Sequence, residues 1–288
     1  MKQAAIIDIG SNSIRYACGY LEQGGRAVME RKQVATTRLG EGLEAGGLLG
    51  KVPMLRTIEA IGEFVGQANE RGLPLYAYAT SAVREGANRE EFCGRVKALG
   101  IDSLQVLSGE EEARLAHLGA TGGEGGVIDI GGGSTQIISS GFAHSGPIGC
   151  VRAKDLCDKF KSIDEMRAII YARCRELLCF PEDKSVSYTG LGGTISTLAA
   201  LTLGLEAYDE EKVCEARIQP AGLEALVAAL FERGSAGRQS HPLLAARAET
   251  ILPGALILSF VLGRLGVEEL TVSDRDGMEG YLLQMLSI

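Results

Sequence analysis

The sequence predicts an α/β protein built from two similar halves. Short β-rich segments alternate with segments of helical spacing along the 288 residues, which is the pattern of mixed α/β structure. The segment Ile7-Asp8-Ile9-Gly10-x-x-Ser13 returns as Ile128-Asp129-Ile130-Gly131-x-x-Ser134, 121 residues later (129 − 8). A repeat at half-chain distance predicts two domains of similar topology.

Composition narrows the class of protein. The chain has 39 glycines, nearly twice the usual share of about 7%, and its net charge of −8 disfavours a broad nucleic-acid-binding face. No apolar run reaches the roughly 20 residues of a membrane span, and Asp8 interrupts the first apolar run before a signal peptide could form. Seven cysteines without a C-x-x-C pair are typical of reduced thiols. We therefore expect a cytoplasmic protein with neither a nucleic-acid nor a membrane partner.

The first half is expected to begin with a three-stranded meander, which alternating helices and strands follow. The predicted strands cover residues 4–9, 14–20, 27–34, 75–80 and 104–107. The predicted helices cover residues 53–71, 88–99 and 108–119. Ser108 is the expected N-cap of the last helix, with Glu111 at the capping-box position.

The second half is expected to repeat the hairpin and then to become mainly helical. Predicted helices cover residues 152–160, 163–179, 194–203, 220–232 and 242–265, and predicted strands cover 185–188 and 270–273. The glycine-rich stretch Gly119–Gly126 is the expected boundary, which gives domains 1–122 and 123–288. The last helix, about residues 278–288, is expected to pack back on the first domain.

Asp8 and Asp129 end the two copies of the repeated strand, and each precedes a glycine hairpin. Two carboxylates in such positions can hold Mg²⁺ beside a phosphate substrate. A single Asp-x-Gly is better explained as a turn residue that bonds its own hairpin amides. The duplication favours the metal interpretation.

Three glycine-rich turns are candidate anion sites: Gly10–Ser13, Gly131–Ser134 and Gly190–Thr194. Small residues allow backbone N–H groups to approach a phosphate, and the third turn opens a helix, whose free amides attract anions. The alternative is that they are ordinary tight turns and a strand-to-helix connection.

Arg84 and the cluster Glu110–Glu112 supply the remaining candidate groups. Arg84 follows a predicted strand and can bind a phosphate through its planar guanidinium, or lie on the surface. The capping box and the helix dipole account for Glu111, whereas three acids in a row suggest that one of them is a general base for water. The chain has no P-loop motif and no G-x-S-x-G motif.

Five motifs, in this order, resemble the Ppx/GppA family of exopolyphosphatases and guanosine pentaphosphate phosphatases. They are Asp8-Ile-Gly-Ser-Asn-Ser, Ala79-Thr-Ser-Ala-Val-Arg84, Ser108-Gly-Glu-Glu-Glu-Ala-Arg114, Ile128-Asp-Ile-Gly-Gly-Gly-Ser-Thr135 and Leu191-Gly-Gly-Thr194. The resemblance implies the short form of the family, with two RNase H-like domains of the actin-like ATPase superfamily facing across a cleft. It also implies release of terminal phosphate from inorganic polyphosphate or guanosine pentaphosphate, with Mg²⁺ or alternatively Mn²⁺, by a homodimer.

The resemblance also assigns residues. It places the catalytic Glu on Glu112 with Glu111 as its neighbour, the metal or water-positioning Asp on Asp129, and the motif Arg on Arg84. The implied metal ligands are Asp8, Asp129 and Glu112. The implied phosphate-binding residues are Gly10, Ser11, Asn12, Ser13, Gly131, Gly132, Gly133, Ser134, Gly192, Gly193 and Thr194.

Two positions depart from the family pattern. Gln136 stands where the family usually has Glu, and Met278 stands where it usually has Arg, although Arg275 lies three residues earlier. These departures favour a first alternative, a non-catalytic binder of polyphosphate or (p)ppGpp. A second alternative is an ATP-dependent kinase of the same superfamily.

Overall fold

The computed structural model describes residues 2–23, 25–43, 47–139, 141–214 and 216–287. The strands are β1 (Gln3–Ile9), β2 (Ile14–Leu21), β3 (Ala27–Met29), β4 (Gln33–Ala35), β5 (Leu75–Ala79), β6 (Ser103–Val106), β7 (Gly126–Ile130), β8 (Thr135–Ser139), β9 (Phe142–Gly146), β10 (Tyr188–Leu191), β11 (Arg217–Ile218) and β12 (Leu270–Val272). The helices are α1 (Lys51–Glu70), α2 (Ser81–Glu85), α3 (Arg89–Lys97), α4 (Gly109–Thr121), α5 (Cys150–Cys157), α6 (Ile163–Leu177), α7 (Gly192–Thr202), α8 (Glu210–Val213), α9 (Pro220–Glu232), α10 (Gly234–Gln239), α11 (Ile251–Leu265) and α12 (Gly277–Leu286).

The chain divides into two compact units. The first contains Met1–Gly119 together with Gly277–Ile288, and the second contains Ala120–Asp276. Helix α12 therefore belongs to the first unit, although the whole second unit precedes it in the sequence.

The two sheets have the same topology. In the first unit the strand order is β3-β2-β1-β5-β6, with β4 also paired to β2. Strand β1 is antiparallel to β2 and parallel to β5, which is parallel to β6. In the second unit the order is β9-β8-β7-β10-β12, with β11 beyond β12, and β7 is antiparallel to β8 and parallel to β10. The predicted α/β class, with a duplicated RNase H-like topology, is confirmed.

The predicted strand 27–34 is wrong in one respect, because it is interrupted. Met29 pairs with Gly19 of β2, and Gln33 pairs with Tyr16. One strand thus advances by four residues while its partner advances by three, which is the geometry of a β-bulge. The bulge divides the segment into β3 and β4, with Lys32 in the interruption.

The predicted strand 185–188 lies too early in the sequence. Strand β10 ends at Leu191 and includes Gly190, a residue that the sequence pattern assigned to a turn. A Cβ on Gly190 would lie 2.7 Å from Leu270 Cδ2 and 2.8 Å from Ile195 Cγ2. The strand therefore requires glycine there because neighbouring side chains pack directly against its backbone.

The predicted helix 242–265 is too long at its start. Helix α11 begins at Ile251, and a short 3₁₀ turn occupies Ala245–Arg247. The Arg238 guanidinium donates to the carbonyl oxygen of Ala248, an acceptor that an uninterrupted α-helix would give to the amide of Leu252. The buried Arg238 thus stabilises an irregular approach to the helix.

The first sheet is buried on both faces. Alternate residues of β1 point to opposite faces: Ile7 lies in the core with α1 and α3, whereas Ile6 lies in the core with α4 and α12. Asp8 follows the alternation of Ile6. Its side chain therefore extends from the face that α4 covers, and the first turn of α4 carries Glu112.

In the second unit, α11 is the central core helix and is buried along most of its length. Within the described ranges, no helix combines the length and the apolar character that crossing a bilayer requires.

Helix α12 packs against the backbone of α4. A Cβ on Gly280 would lie 2.8 Å from the carbonyl carbon of Leu115, so the two helices touch where Gly280 has no side chain. The Tyr281 hydroxyl donates to the carbonyl oxygen of Ala77 (3.2 Å). The neighbouring Glu279 forms an ion pair with Lys32 from the β3–β4 bulge (Nζ–Oε1 3.0 Å). These contacts attach the end of the chain to the first unit.

We predict that Gly280→Ala destabilises the protein by about 1–3 kcal/mol, because the added methyl group overpacks a rigid backbone contact. Gly66→Ala is the matched control: Gly66 is exposed in α1 with open space around it, and alanine there is expected to add about 0.5–1 kcal/mol of stability. Urea unfolding of both variants measures the difference. Equal stability of the two would contradict the close packing of α12 on α4.

Candidate active site

Three segments of the first unit, a turn and the starts of helices α2 and α4, lie at one edge of its sheet. They are Gly10–Ser13 after β1, Thr80–Arg84 after β5 and Ser108–Glu112 after β6. Because β1, β5 and β6 are parallel, their carboxyl ends lie at the same edge, where ligands commonly bind in α/β sheets. The Thr80 N–H donates to the carbonyl oxygen of Ile9 (3.1 Å), which joins the first two segments.

Carbonyl groups of the loop Gly10–Ser13 accept hydrogen bonds from other residues of the first unit. The carbonyl oxygen of Ser11 accepts from the Gly40 amide (2.8 Å), and that of Asn12 accepts from the Arg38 amide (2.8 Å). In a planar trans peptide, the N–H of the next residue points opposite to the carbonyl oxygen. The amides of Asn12 and Ser13 therefore point away from the segment that holds the loop.

Two side chains of this loop are buried in polar surroundings. The Ser11 hydroxyl lies 2.9 Å from the Ser81 hydroxyl. The Asn12 Nδ2 is buried and donates to no acceptor in the part of the chain that the structure describes. A buried donor without an acceptor is costly, so this loop suits an anionic ligand.

The second unit repeats this arrangement at Gly131–Ser134. The Gly131 amide donates to the Ser134 carbonyl oxygen (3.0 Å), as Gly10 donates to Ser13 in the first loop (3.1 Å). The carbonyl oxygens of Gly131 and Gly132 accept from the first two amides of α5, at 2.9 and 2.8 Å. The amides of Gly132 and Gly133 consequently point away from α5, which gives the second unit a similar pair of outward amides.

Two predicted catalytic residues of the first unit are in contact. Arg84 Nη1 lies 3.2 Å from Glu112 Oε2 and donates to the carbonyl oxygen of Leu107 at 2.7 Å. The two side chains are 23% and 17% exposed, so solvent reaches both. The contacts fix the Glu112 carboxylate at the first turn of α4, and the guanidinium has further N–H donors for a ligand.

Glu111 forms the predicted capping box. The Ser108 amide donates to Glu111 Oε2 (2.8 Å), and the Glu111 amide donates to the Ser108 hydroxyl (3.1 Å). Hydrogen bonds from Ser108, first from its backbone and then from its hydroxyl, hold the pKa of Glu111 below its ordinary value of 4.5. The exposed Glu111 carboxylate thus caps the start of α4, and its catalytic role stays a prediction.

The Asp8 carboxylate forms an ion pair with the Arg15 guanidinium. The cross-strand partner of Asp8 is Arg15, whose Nε donates to Asp8 Oδ2 at 2.9 Å and whose Nη2 contacts the same oxygen. The guanidinium offsets the negative charge that would attract a metal ion. Both of these contacts are to Oδ2, and the predicted role of Asp8 as a metal ligand stays a prediction.

Asp129 lies where β7 meets the start of α7. Its carboxylate contacts Gly192, which has a φ of +83°, and a Cβ at that position would collide with Asp129 Oδ1. The positive end of the α7 dipole favours a carboxylate there. The cross-strand partner of Asp129 is Gln136, whose Nε2 donates to the Ser134 hydroxyl at 3.0 Å.

These groups suit a magnesium ion held partly by substrate. Asp129 supplies a carboxylate, and the buried Gln136 Oε1 has no hydrogen-bond partner among the described residues, so two hard oxygens lie on one face of neighbouring strands. Mg²⁺ commonly uses one or two carboxylates, with waters and substrate phosphates as its other ligands. No group of three or more His, Cys, Asp and Glu side chains converges within the described ranges, and such a site does not need one.

The turn at the start of α7 lies against an arginine. A Cβ on Gly193 would collide with the guanidinium of Arg247, so glycine lets this cation approach the first turn of the helix. The Thr194 side chain is buried, and its methyl group would lie 2.5 Å from a Cβ on Gly254. The role of Thr194 in phosphate binding stays a prediction.

Two arginines beside these segments were not predicted from the sequence. Arg247 lies in a segment that was predicted as regular helix, so its approach to Gly193 was not foreseen. Arg38 has a φ of +50°, and its amide donates to the carbonyl oxygen of Asn12. Left-handed backbone at a residue other than glycine is uncommon and often marks functional sites, but no sequence pattern announces it.

Three features together indicate a protein that binds phosphate groups. They are the duplicated topology, the outward amides of two glycine hairpins and the Arg84–Glu112 pair. The sequence model of the Ppx/GppA phosphatase family matches residues 22–288. The chain belongs to this family, and it is a phosphatase by that membership.

Similar proteins cover the chain from end to end. Exopolyphosphatase 2 of Mycobacterium tuberculosis is 29% identical over 99% of both chains. The crystal structure of the Aquifex aeolicus Ppx/GppA family member has a TM-score of 0.78 at 29% identity and covers 99% of this chain and 98% of its own. The crystal structure of an exopolyphosphatase-like protein has a TM-score of 0.88 at 26% identity and covers 99% and 97%.

We predict that Glu111→Ala lowers stability by about 0.3–1 kcal/mol at neutral pH, the usual contribution of an exposed charge at a helix start. Because the pKa of Glu111 is lowered by folding, this contribution is full above pH 4.5 and disappears as the pH falls through the folded-state pKa. Urea unfolding at neutral and acid pH measures it. Glu110→Ala keeps both capping-box bonds and is the control. A difference between Glu111→Ala and wild type that persists unchanged in acid would contradict the prediction.

We predict that Gly193→Ala displaces the Arg247 guanidinium while the unfolding temperature changes little, since the end of a flexible side chain can move. The affinity for tripolyphosphate is expected to fall roughly ten- to hundredfold, because a hydrogen bond to a charged group contributes about 1.5–3 kcal/mol. Calorimetric titration measures the affinity. Gly222→Ala, at an exposed glycine of α9 with open space around it, is the control. Unchanged affinity in Gly193→Ala would exclude Arg247 as a phosphate ligand.

Proposed function

We propose that this chain hydrolyses inorganic polyphosphate from its end and releases orthophosphate. The observation that carries the proposal is the pair of consecutive outward amides on a glycine hairpin in each unit, since such amides bind phosphate oxygens. The partly buried Arg84 guanidinium and the buried Asn12 amide add donors for an anion. Relatives named exopolyphosphatases match the chain over almost its full length, which supports polyphosphate as the substrate.

In this proposal, Glu112 is the general base. Its carboxylate accepts a proton from water, the water oxygen bonds to the terminal phosphorus, and the bond from that phosphorus to the bridging oxygen breaks. The shortened chain leaves with the electron pair of that bond. Arg84 holds the Glu112 carboxylate in place and offers donors to the phosphoryl oxygens, because phosphoryl transfer depends mainly on positioning and on charge stabilisation.

A divalent ion fits the second unit beside Asp129 and Gln136. When bound, Mg²⁺ or Mn²⁺ would neutralise charge that develops on the phosphate oxygens. Asp129 is the charged ligand in this proposal, and the outward amides of Gly132 and Gly133 bind phosphate independently of the ion.

Binding without turnover is the second candidate function. Two observations favour it: Arg15 forms an ion pair with Oδ2 of Asp8, and Gln136 places a neutral amide beside Asp129. Each reduces the negative charge available for a metal ion. Tight binding of polyphosphate without phosphate release, in the presence of Mg²⁺ or Mn²⁺, would establish this alternative.

We predict that Glu112→Gln reduces phosphate release from long-chain polyphosphate by about 10²–10⁴-fold, the usual contribution of a general base. Glu110→Gln makes the same change on an exposed residue of the same helical turn and is expected to leave the rate near that of wild type. A colorimetric phosphate assay measures both. If Glu112→Gln releases phosphate as fast as wild type, Glu112 is not the base.

The same assay separates the possible substrates and metals. Polyphosphate and guanosine pentaphosphate are compared side by side, with Mg²⁺, with Mn²⁺ and with a chelator. Faster release from the nucleotide would replace polyphosphate as the preferred substrate. Formation of ADP from ATP with a sugar or carboxylic acid acceptor would instead identify a kinase.

A further inference from the structure

Gln136 is a neutral side chain that lies beside the carboxylate of Asp129. It is the direct cross-strand partner of Asp129, and directly opposed side chains have Cβ atoms about 4.5–5.5 Å apart. Gln136 is only 1% exposed. A buried amide in this position is held by its hydrogen bonds, and their direction determines what its neighbours can do.

The nitrogen of this amide determines the polarity of Ser134. Gln136 Nε2 donates to the Ser134 hydroxyl oxygen at 3.0 Å, and an amide nitrogen cannot accept in return. The Ser134 hydroxyl therefore accepts from Gln136 and can donate its own proton to another group. Ser134 ends the hairpin whose amides point outward, so its proton adds a donor for a phosphate oxygen.

The oxygen of the same amide is an acceptor that a ligand can use. Gln136 Oε1 is buried and has no hydrogen-bond partner within the described residues. An unsatisfied buried acceptor costs free energy unless a ligand or water completes it. An amide carbonyl is a good ligand for a hard cation, but it adds no negative charge to that of Asp129.

We propose that Gln136 makes divalent-cation binding depend on the phosphate of the substrate. With a single carboxylate in the Asp129–Gln136 pair, the protein attracts the cation weakly, and the charge of a bound phosphate completes the attraction. The Ser134 proton favours binding of the phosphate before or together with the cation. The inference rests on the proposed function for the identity of the phosphate ligand, but it is tested without turnover.

The test measures Mn²⁺ binding to the full chain by electron paramagnetic resonance, with and without methylenediphosphonate, whose P–C–P bridge resists hydrolysis. The Mn²⁺ that the diphosphonate chelates on its own is measured in a titration without protein and subtracted. Wild type is then expected to bind Mn²⁺ at least about tenfold more tightly with the diphosphonate than without it. Gln136→Glu is expected to tighten Mn²⁺ binding without the diphosphonate by at least about tenfold, because ligand charge sets the affinity of such sites. Gln239→Glu, at an exposed glutamine of the same unit, adds the same charge elsewhere and is expected to change neither value.

A Gln136→Glu variant that binds Mn²⁺ within threefold of wild type would overturn the inference, and so would a wild type insensitive to the diphosphonate. If Gln136→Glu does not fold by circular dichroism, Gln136→Met replaces it. That variant removes both polar atoms and is expected to weaken Mn²⁺ binding with the diphosphonate about tenfold, whereas an unchanged affinity would overturn the inference. If these shifts occur but wild type releases no phosphate from polyphosphate, the proposed hydrolysis alone is wrong.

Discussion

A planar trans peptide cannot point its carbonyl oxygen and the following amide in the same direction, and the candidate site depends on this constraint. In each glycine hairpin, two consecutive carbonyl oxygens accept hydrogen bonds from a neighbouring segment of the same unit. The next amides are therefore fixed in the opposite direction. The backbone of each unit therefore orients these donors without the help of a side chain.

The parallel strands bring these turns together with charged side chains at one edge of each sheet. In the first unit, the carboxyl ends of β1, β5 and β6 gather a hairpin, an arginine and the acidic start of α4 at one sheet edge. In the second unit, β7 and β10 bring Asp129 to the first turn of α7. Each unit thus supports anion binding with its own backbone, and the charged side chains that could carry chemistry lie within a turn of these loops.

Much of this arrangement could be predicted because it follows from repetition and strand pairing. The 121-residue repeat (129 − 8) predicted duplicated hairpins, and the capping-box spacing predicted the Ser108–Glu111 bonds. The errors arose where tertiary packing overrides local pattern. Gly190 lies in a strand where the side chains of Leu270 and Ile195 pack against its backbone. The approach to α11 is irregular at a carbonyl group that accepts from the Arg238 guanidinium.

The types of residue in the site could be predicted from the sequence, but the pairing of its charged side chains could be predicted only in part. The contact between Arg84 and Glu112 joins segments that are separate in the sequence, and only the order of parallel strands brings them together. The Asp8–Arg15 pair follows from hairpin register, yet the sequence pattern drew attention to Asp8 alone. Arg247 could not be anticipated, because its position depends on a 3₁₀ turn that has no sequence signature. The roles assigned to these residues remain predictions.

The return of α12 to the first unit has a consequence for biosynthesis. On the ribosome, the strands of the first sheet emerge early, but the helix that covers one of its faces with Tyr281 and Leu282 is translated after the whole second unit. The nascent chain must therefore keep an apolar surface uncovered while the entire second unit is made. Completion of the first unit consequently follows synthesis of the second unit, and chaperones have an opportunity to bind the uncovered surface during that interval.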